Sequence, residues 1–235
     1  MAVANNEVFL VNRNSQLHPW MLDPGEAVSI QNTLRDRLVL AWDGRLVRTV
    51  AGVDVGYAGD RAQAAIAVLS YPDLTLQAAA TASASLVFPY IPGLLAFRES
   101  PAILAAWKKL PFIPDLLFFD GQGIAHPRGF GLAAHLGLWL ATPSIGVAKS
   151  RLYGRHAAVG PRFGEWSDLF DEQEPQRRIG VVLCTREKSK PLYISPGHLI
   201  DLEHAVSFVL TCCRGQRLPE PACWAHRLSD SDFFL

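Results

Sequence analysis

Cysteine is scarce in this sequence of 235 residues, which has four cysteines and no Cys-x-x-Cys pair. Two of them, Cys212 and Cys213, are adjacent, a spacing that suits neither a zinc knuckle nor an obvious disulfide. The sequence therefore predicts free thiols in a reducing compartment and argues against a structural zinc site.

Long apolar runs and an excess of one charge are absent as well. No run approaches the roughly 18 apolar residues that a membrane span needs, and the polar residues 4–7 do not follow the pattern of a secretory signal. Lysine and arginine together number 22, as do aspartate and glutamate, so the net charge of zero argues against a protein whose main task is to coat nucleic acid. We expect a soluble, cytoplasmic protein with no membrane partner.

Apolar side chains, in contrast, are plentiful. They make up 49% of the chain, against 19% charged residues, which is enough to bury one sizeable core. We expect a single domain over residues 24–235, preceded by an N-terminal extension over residues 1–23.

The order of apolar patterns predicts an α/β domain in which helices flank a mixed sheet. Helical spacing indicates a helix over 24–42, and three β-rich runs joined by short turns indicate an antiparallel meander over 48–57, 62–71 and 74–87. Alternating patterns then predict parallel additions to the same sheet, with helices over 100–110 and 130–140 and strands over 115–120 and 144–148. Strands over 178–184 and 191–195 and a helix over 201–213, with Asp201 as its N-cap, complete the prediction.

Two aspartates lie on predicted strands. Asp120 follows the apolar run 116–119 and precedes Gly121, whereas Asp54 lies in the middle of a β-rich run with a glycine on either side. Burying an unpaired carboxylate costs several kcal/mol, so such residues occur mainly where a cation or hydrogen-bond donors compensate. Metal ligation is therefore favoured over a turn-forming or structural role for both aspartates.

Glu99 is the third candidate acid. It directly precedes the helix predicted over 100–110, where the helix dipole alone would favour a carboxylate. Two aspartates and a glutamate without a nearby Cys/His pair suit a hard cation such as Mg²⁺ or Mn²⁺ rather than zinc. Such a cation can polarise a phosphate and lower the pKa of an attacking water, so the acids predict phosphoryl chemistry.

Each of three further polar residues has two possible roles. His126, between a glycine-rich turn and Pro127, is either a loop hydrogen-bonding residue or a general acid/base. Lys149 closes the apolar run 145–148 and would either approach a phosphate or remain a solvated strand end. His135 lies in an apolar helix, where we expect a satisfied, partly buried histidine rather than a ligand.

The segment Pro89-Tyr90-Ile91-Pro92 predicts a stiff loop. Its two prolines would hold the backbone so that Tyr90 and Ile91 both point outward. Rigid apolar side chains of this kind suit insertion between stacked bases of a distorted duplex. A turn packed against the core is the alternative.

Taken together, these segments closely resemble the endonuclease V family of deoxyinosine-directed repair nucleases. The resemblance runs from about residue 24 to about residue 225 and includes the late segments 197–198 and 217–221. The motifs that carry it are, in chain order, Val53-Asp54-Val55-Gly56, Pro89-Tyr90-Ile91-Pro92-Gly93, Phe97-Arg98-Glu99, Asp120-Gly121-Gln122-Gly123, His126-Pro127-Arg128, Ala134-His135-Leu136-Gly137 and Ile145-Gly146-Val147-Ala148-Lys149.

The resemblance implies a ribonuclease H-like fold and a role for each catalytic candidate. Asp54 and Asp120 would be direct ligands of a catalytic Mg²⁺, for which Mn²⁺ would substitute, and Glu99 would complete the acidic metal site. His126 would assist a second metal or the attacking water. Lys149 would steady the phosphate or the departing oxygen.

The resemblance also implies how DNA would be bound. Tyr90 would be the wedge that fills the gap left by a flipped-out base, within a DNA-binding loop that includes Pro89, Ile91 and Pro92. The backbone of three glycines, which allow close approach of a purine ring, would line the lesion pocket: Gly93, Gly121 and Gly123.

The reaction implied is hydrolysis of the second phosphodiester bond 3′ to a deaminated base, chiefly deoxyinosine, which leaves a 3′-hydroxyl and a 5′-phosphate. We expect a monomer. An endonuclease acting on inosine-containing RNA is the alternative, and a lesion-binding protein without catalysis is a third possibility. Position 122 departs from the family pattern, because Gln122 stands where histidine or asparagine is familiar.

Overall fold

Eight strands form one mixed sheet in the computed structural model, which describes residues 17–230. The strands are β1 (Thr49–Ala58), β2 (Arg61–Ser70), β3 (Leu76–Ser85), β4 (Leu116–Phe119), β5 (Ser144–Ala148), β6 (Trp166–Phe170), β7 (Arg178–Leu183) and β8 (Leu192–His198). They are ordered β3-β2-β1-β4-β5-β8-β7-β6 across the sheet. The helices are α1 (Pro24–Leu34), α2 (Leu95–Trp107), α3 (Leu132–Leu140), α4 (Leu202–Thr211) and α5 (Glu220–Ser229).

The sheet has an antiparallel part and a parallel part, as predicted. Strands β1, β2 and β3 pair as an antiparallel meander because the turns between them are short. Strands β4 and β5 are added parallel to β1, with α2 and α3 in the connections. Beyond β5 the pairing is antiparallel again, through β8, β7 and β6.

Helices cover both faces of the sheet. On one face α2 and α3 pack against odd-numbered residues of β1 and β4, including Ala51 and Phe119. On the other face α4 packs against β8 and belongs to the same apolar cluster as Val50 and Phe118. Because side chains alternate along a strand, successive residues face the helices on opposite sides of the sheet.

Helix α5 lies directly on β1 because two glycines leave room for its backbone. A Cβ atom at Gly52 would lie 1.9 Å from the carbonyl oxygen of Pro221, and one at Gly56 would lie 2.3 Å from that of Ser229. Asp54 lies between these glycines on the same face of β1 and therefore points toward α5.

Two predicted helix boundaries are wrong. Helix α1 ends at Leu34, followed by a 3-10 turn over 35–37, instead of continuing to Trp42. Residues beyond the turn are extended, since the amide of Val39 donates to Nδ1 of His198 and its carbonyl accepts from Leu199. Helix α2 begins at Leu95 rather than at residue 100 and includes a proline, Pro101, that the prediction placed at its start.

Strand β6 and helix α5 have no counterpart in the sequence prediction. Helix α5 is ten residues long and has prolines at its N-cap and second position, so its sequence resembles a loop. Strand β6 is only five residues long, and one of them, Leu169, is buried. Asp201 is confirmed as an N-cap, its side chain accepting from the amide of His204.

The part of the predicted N-terminal extension that the structure describes, residues 17–23, packs on the domain. The rings of His18 and Trp20 lie 4.9 and 5.1 Å from that of His135, beside Phe97. Residues 1–16 and 231–235 lie outside the described part, and the boundary after residue 23 stays a prediction.

All four cysteines are free, as predicted. Within residues 17–230, no helix has the length and apolar character to cross a bilayer.

Candidate active site

Strand register brings Asp54 and Asp120 side by side. Val53 of β1 is paired with Phe119 of the parallel strand β4, and the amide of Asp120 donates to the carbonyl of Val53 at 3.0 Å. Both carboxylates therefore lie at the carboxyl end of β4, beside the middle of the longer strand β1. The sequence predicted this pairing of strand-borne acids, and the fold supplies it.

Lys149 joins them from the next parallel strand. It directly follows β5, and its Nζ atom lies 2.5 Å from Oδ2 of Asp120 in a partly exposed ion pair. Its backbone is also held, since the guanidinium of Arg217 donates to the carbonyl oxygen of Lys149 at 2.7 Å. The lysine is thus a positioned cation rather than a solvated strand end.

Helix α5 contributes two residues that the sequence prediction missed. Nδ1 of His226 lies 2.8 Å and Oγ of Ser229 lies 2.7 Å from the same carboxylate oxygen, Oδ2 of Asp54. Their spacing of three residues places both on one face of the helix. Only a correct prediction of α5 would have drawn attention to this pair.

Glu99 approaches the aspartates from α2. It is the fifth residue of that helix, so the expectation that it stands at a helix start is wrong, and the dipole does not explain it. Its side chain is buried and accepts a hydrogen bond from the hydroxyl of Tyr57. Burial raises the pKa of Glu99 to about 8, and the negative charges of Asp54 and Asp120 act in the same direction.

The two aspartates differ in electrostatic environment. Burial pushes the pKa of Asp54 upward, but the hydrogen bonds from Ser229 and His226, together with the charge of Lys149, hold that pKa below its usual value. Burial and the neighbouring charge of Asp54 raise the pKa of Asp120, against the opposing effect of Lys149. Three mutually repelling carboxylates in one place form a site that a cation would stabilise.

The donor set fits a hard divalent cation. In each of Asp54, Glu99 and Asp120, one oxygen accepts the hydrogen bonds described above. The side chains of Asp54 and Asp120 also interact with each other. Among residues 17–230, no three His, Cys, Asp or Glu side chains already stand as a preformed metal centre. Oxygen-only ligands of this kind suit Mg²⁺ or Mn²⁺.

A cavity of about 530 Å³ opens beside the acids. Asp120 and Lys149 form part of its wall, together with Gly93 and Gly121 of the predicted lesion pocket. Gly123 lies elsewhere: its amide donates to Oγ of Ser195, and a Cβ atom there would lie 2.0 Å from the carbonyl oxygen of Pro196. The third glycine therefore lets the turn pack on β8 and does not line the cavity.

The proline-rich loop forms the rim of this cavity. Tyr90 is 69% exposed, and Pro89 and Pro92 are exposed beside it. Ile91 departs from the prediction, because it is half-buried and packs on the apolar cluster around Phe88 instead of pointing outward. The loop thus presents one large apolar side chain, Tyr90, at the mouth of the cavity.

His126 uses both ring nitrogens within the protein. It is buried, Nε2 donates to the carbonyl of Gly93 at 2.8 Å, and Nδ1 accepts from the amide of Arg128 at 3.1 Å. Burial lowers the pKa of His126 to about 4, so the ring is neutral at physiological pH. This geometry favours the hydrogen-bonding interpretation, whereas the predicted roles toward a second metal or water remain predictions.

His135 and Gln122 are also buried. His135 is fully enclosed, more than expected, with Nε2 2.7 Å from Nε2 of His18. Gln122 lines the cavity, and its Nε2 donates to the carbonyl of Ser150 at 3.0 Å. It thereby ties the turn after β4 to the residue that follows Lys149.

Comparison with known proteins identifies the family of this chain. The family model for endonuclease V matches residues 30–227. The chain belongs to the endonuclease V family. It is 49% identical over 218 residues to endonuclease V from Alkalilimnicola ehrlichii, covering 92% of this chain and 95% of that protein. It is 48% identical over 217 residues to endonuclease V from Methanothrix thermoacetophila, covering 92% and 95%.

Solved endonuclease V structures share the fold. The enzyme from Streptomyces avermitilis superposes with a TM-score of 0.83 at 40% identity, covering 89% of this chain and 92% of that one. Endonuclease V from Ciona intestinalis, in complex with a 24mer DNA containing an inosine followed by a ribo-adenosine, gives 0.74 at 29% identity, covering 88% and 96%. The predicted ribonuclease H-like fold and endonuclease class are thus confirmed.

Proposed function

We propose that this member of the endonuclease V family cleaves DNA beside deaminated bases, chiefly deoxyinosine. Cleavage would be hydrolysis of the second phosphodiester bond 3′ to the lesion, leaving a 3′-hydroxyl and a 5′-phosphate. The observation that carries the proposal is the junction of the carboxylate cluster with a 530 Å³ cavity, which share Asp120 and Lys149 as wall residues. A flipped-out base could enter the cavity while the phosphodiester backbone of its strand stays near the three carboxylates.

The cavity and its rim supply recognition. Tyr90 stands exposed at the mouth, where an aromatic ring can occupy the space of an extruded base. The walls include Gly93 and Gly121, which carry no side chain of their own. A purine seated there could approach the backbone closely at these two positions. The inosine in the DNA bound by the Ciona relative supports this choice of base.

Asp54, Glu99 and Asp120 would hold the cation, Mg²⁺ with Mn²⁺ as a substitute. When bound there, Mg²⁺ supplies polarisation of the phosphate and a lowered pKa for an attacking water. Ser229 and His226 keep Asp54 ionised and oriented, and Glu99 would complete the acidic site. Lys149 would place its ammonium on the phosphate or the departing oxygen.

The test is incision of a duplex that carries one deoxyinosine. The purified protein with Mg²⁺ should nick the inosine strand at the second bond on the 3′ side and leave a matched adenine strand intact. Asp120→Asn should abolish nicking because it removes a cation ligand and the partner of Lys149. Asp60→Asn, which changes an exposed carboxylate in the β1–β2 turn, is the matched control and should nick normally. Intact inosine strands with the parent protein would refute the proposal.

Inosine-containing RNA is the second candidate substrate. It is favoured by one observation, the ribo-adenosine that follows inosine in the DNA bound by the Ciona relative. An RNA strand of the same sequence, assayed beside the DNA, separates the two because the 2′-hydroxyl distinguishes them. Faster cleavage of the RNA would replace DNA by RNA as the substrate without changing the site.

A further inference from the structure

The carbonyl oxygen of Gly93, in the cavity wall, accepts three side-chain hydrogen bonds. The donors are Nε2 of His126 at 2.8 Å, Nη2 of Arg128 at 2.8 Å and Nε2 of Gln31 at 2.9 Å. A carbonyl oxygen has two lone pairs, so these donors saturate it. The orientation of the Gly93 peptide is therefore fixed from three directions.

The donors are also tied to one another. Oε1 of Gln31 accepts from Nε of Arg128 at 2.5 Å, and Nε2 of Gln31 donates a second bond to the carbonyl of Phe130 at 3.0 Å. Gln31 is 1% exposed, although it belongs to α1 and is far in sequence from the other members. Burying an amide is costly unless its hydrogen bonds are satisfied, and here three are made.

Arg128 directs two of its guanidinium nitrogens, Nε and Nη2, toward this cluster. Its guanidinium contacts Gly93 and Gln31, and a Cβ atom at position 93 would lie 2.7 Å from Nη2. Gly93 also has a φ of +83°, in the region that favours glycine. A guanidinium used in this way helps to fix the cavity wall at Gly93.

We propose that Gln31 and Arg128 are positioning residues that set base selectivity by holding the Gly93 peptide, and with it the wall between the Tyr90 loop and the cavity. The inference rests on the proposed function, since it assigns the cavity to a base. Gln31 and His126 line the same cavity as Gly93, so any shift of this peptide changes its shape. A wall fixed before binding lowers the cost of seating a ligand.

The test compares binding of two duplexes that differ only at the lesion, one with deoxyinosine and one with an abasic site. Binding is measured by fluorescence anisotropy in EDTA so that no strand is cut. Gln31→Met keeps the length of the side chain and removes its hydrogen bonds. We expect it to weaken binding of the inosine duplex by about tenfold, while binding of the abasic duplex stays the same, because only a seated base contacts the wall.

Two further variants sharpen the result. In Arg128→Lys, a single ammonium cannot bond both Gly93 and Gln31, so this variant should lower the preference for the inosine duplex in the same way. It also tests the inference if Gln31→Met does not fold. Gln77→Met, at an exposed glutamine of β3 that bonds only its neighbour Thr75, is the matched control and should retain the parent's preference.

The possible outcomes either support or overturn the role of Gln31 and Arg128 in base selectivity. Loss of inosine binding alone supports the inference. An equal loss on both duplexes, or a preference unchanged within about twofold in both variants, overturns it, because the hydrogen bonds of Gln31 and Arg128 would then not affect base binding. A parent protein that neither prefers nor nicks the inosine duplex overturns the proposed function instead.

Discussion

Replacing Ser229 by alanine should weaken metal binding without touching a metal ligand. The hydroxyl lies 2.7 Å from Oδ2 of Asp54, and the residue is 2% exposed, so water does not replace the lost donor easily. His226 alone would then hold the carboxylate, at 2.8 Å on the same oxygen. Loss of such an outer partner typically costs about 10- to 100-fold in metal affinity, and we expect Ser229→Ala to fall in that range.

We expect the weaker binding because the Asp54 carboxylate loses a hydrogen bond that orients it. Ser229 also helps to hold the pKa of Asp54 below its usual value, against burial, so alanine should raise that pKa. Because the loss of orientation does not depend on pH, the weakened binding should persist from pH 7 to pH 8.

Isothermal titration of the metal-free protein with Mn²⁺ measures the affinity directly. Ser207→Ala, at an exposed serine of α4, is the matched control, and Ser229→Thr, which keeps a hydroxyl, should recover part of the loss. An affinity of Ser229→Ala equal to that of the parent, with the fold intact by circular dichroism, would refute the assignment of Asp54 as an oriented ligand.

Three other perturbations have defined outcomes. Tyr90→Ala should reduce incision of duplex lesions and leave Mn²⁺ affinity unchanged, because the ring is exposed at the rim; equal incision rates would remove the wedge role. Gly56→Ala places a Cβ atom 2.3 Å from the carbonyl oxygen of Ser229, so α5 must shift and the protein should lose about 1–3 kcal/mol of unfolding free energy in a denaturant titration, together with metal affinity. Burial lowers the pKa of His198 to about 4, so the unfolded chain binds more protons and stability should fall as the pH drops from 6.5 toward 4. His198→Asn should flatten that fall in thermal melts, and a slope unchanged from the parent would contradict it.

Much of the fold could be predicted because it rests on local patterns. The meander follows from three β-rich runs with short turns, and the parallel strands follow from the alternation of strand and helix. Boundaries failed where distant contacts decide them. Residues past Leu34 keep helical apolar spacing, yet the hydrogen bonds of Val39 with 198–199 hold them extended.

The candidate site shows the same division. Asp54, Asp120 and Lys149 could be found from the sequence because each lies within or at the end of a strand, and parallel pairing brings strand ends together. His226 and Ser229 could not, since their helix begins among prolines and its packing on β1 depends on two glycines in a distant segment.

The sequence by itself determined the chemistry: which acids, which lysine and which glycine-rich turns this protein carries, because residue type and local pattern are written in the chain. The tertiary structure decided which atoms of those groups form hydrogen bonds within the protein and which face the cavity. It turned both nitrogens of His126 inward, moved Gly123 away from the cavity and aimed Arg128 and Gln31 at Gly93. Hydrogen bonds between residues almost a hundred positions apart, such as that from Arg128 to Gln31, leave no local pattern in the sequence.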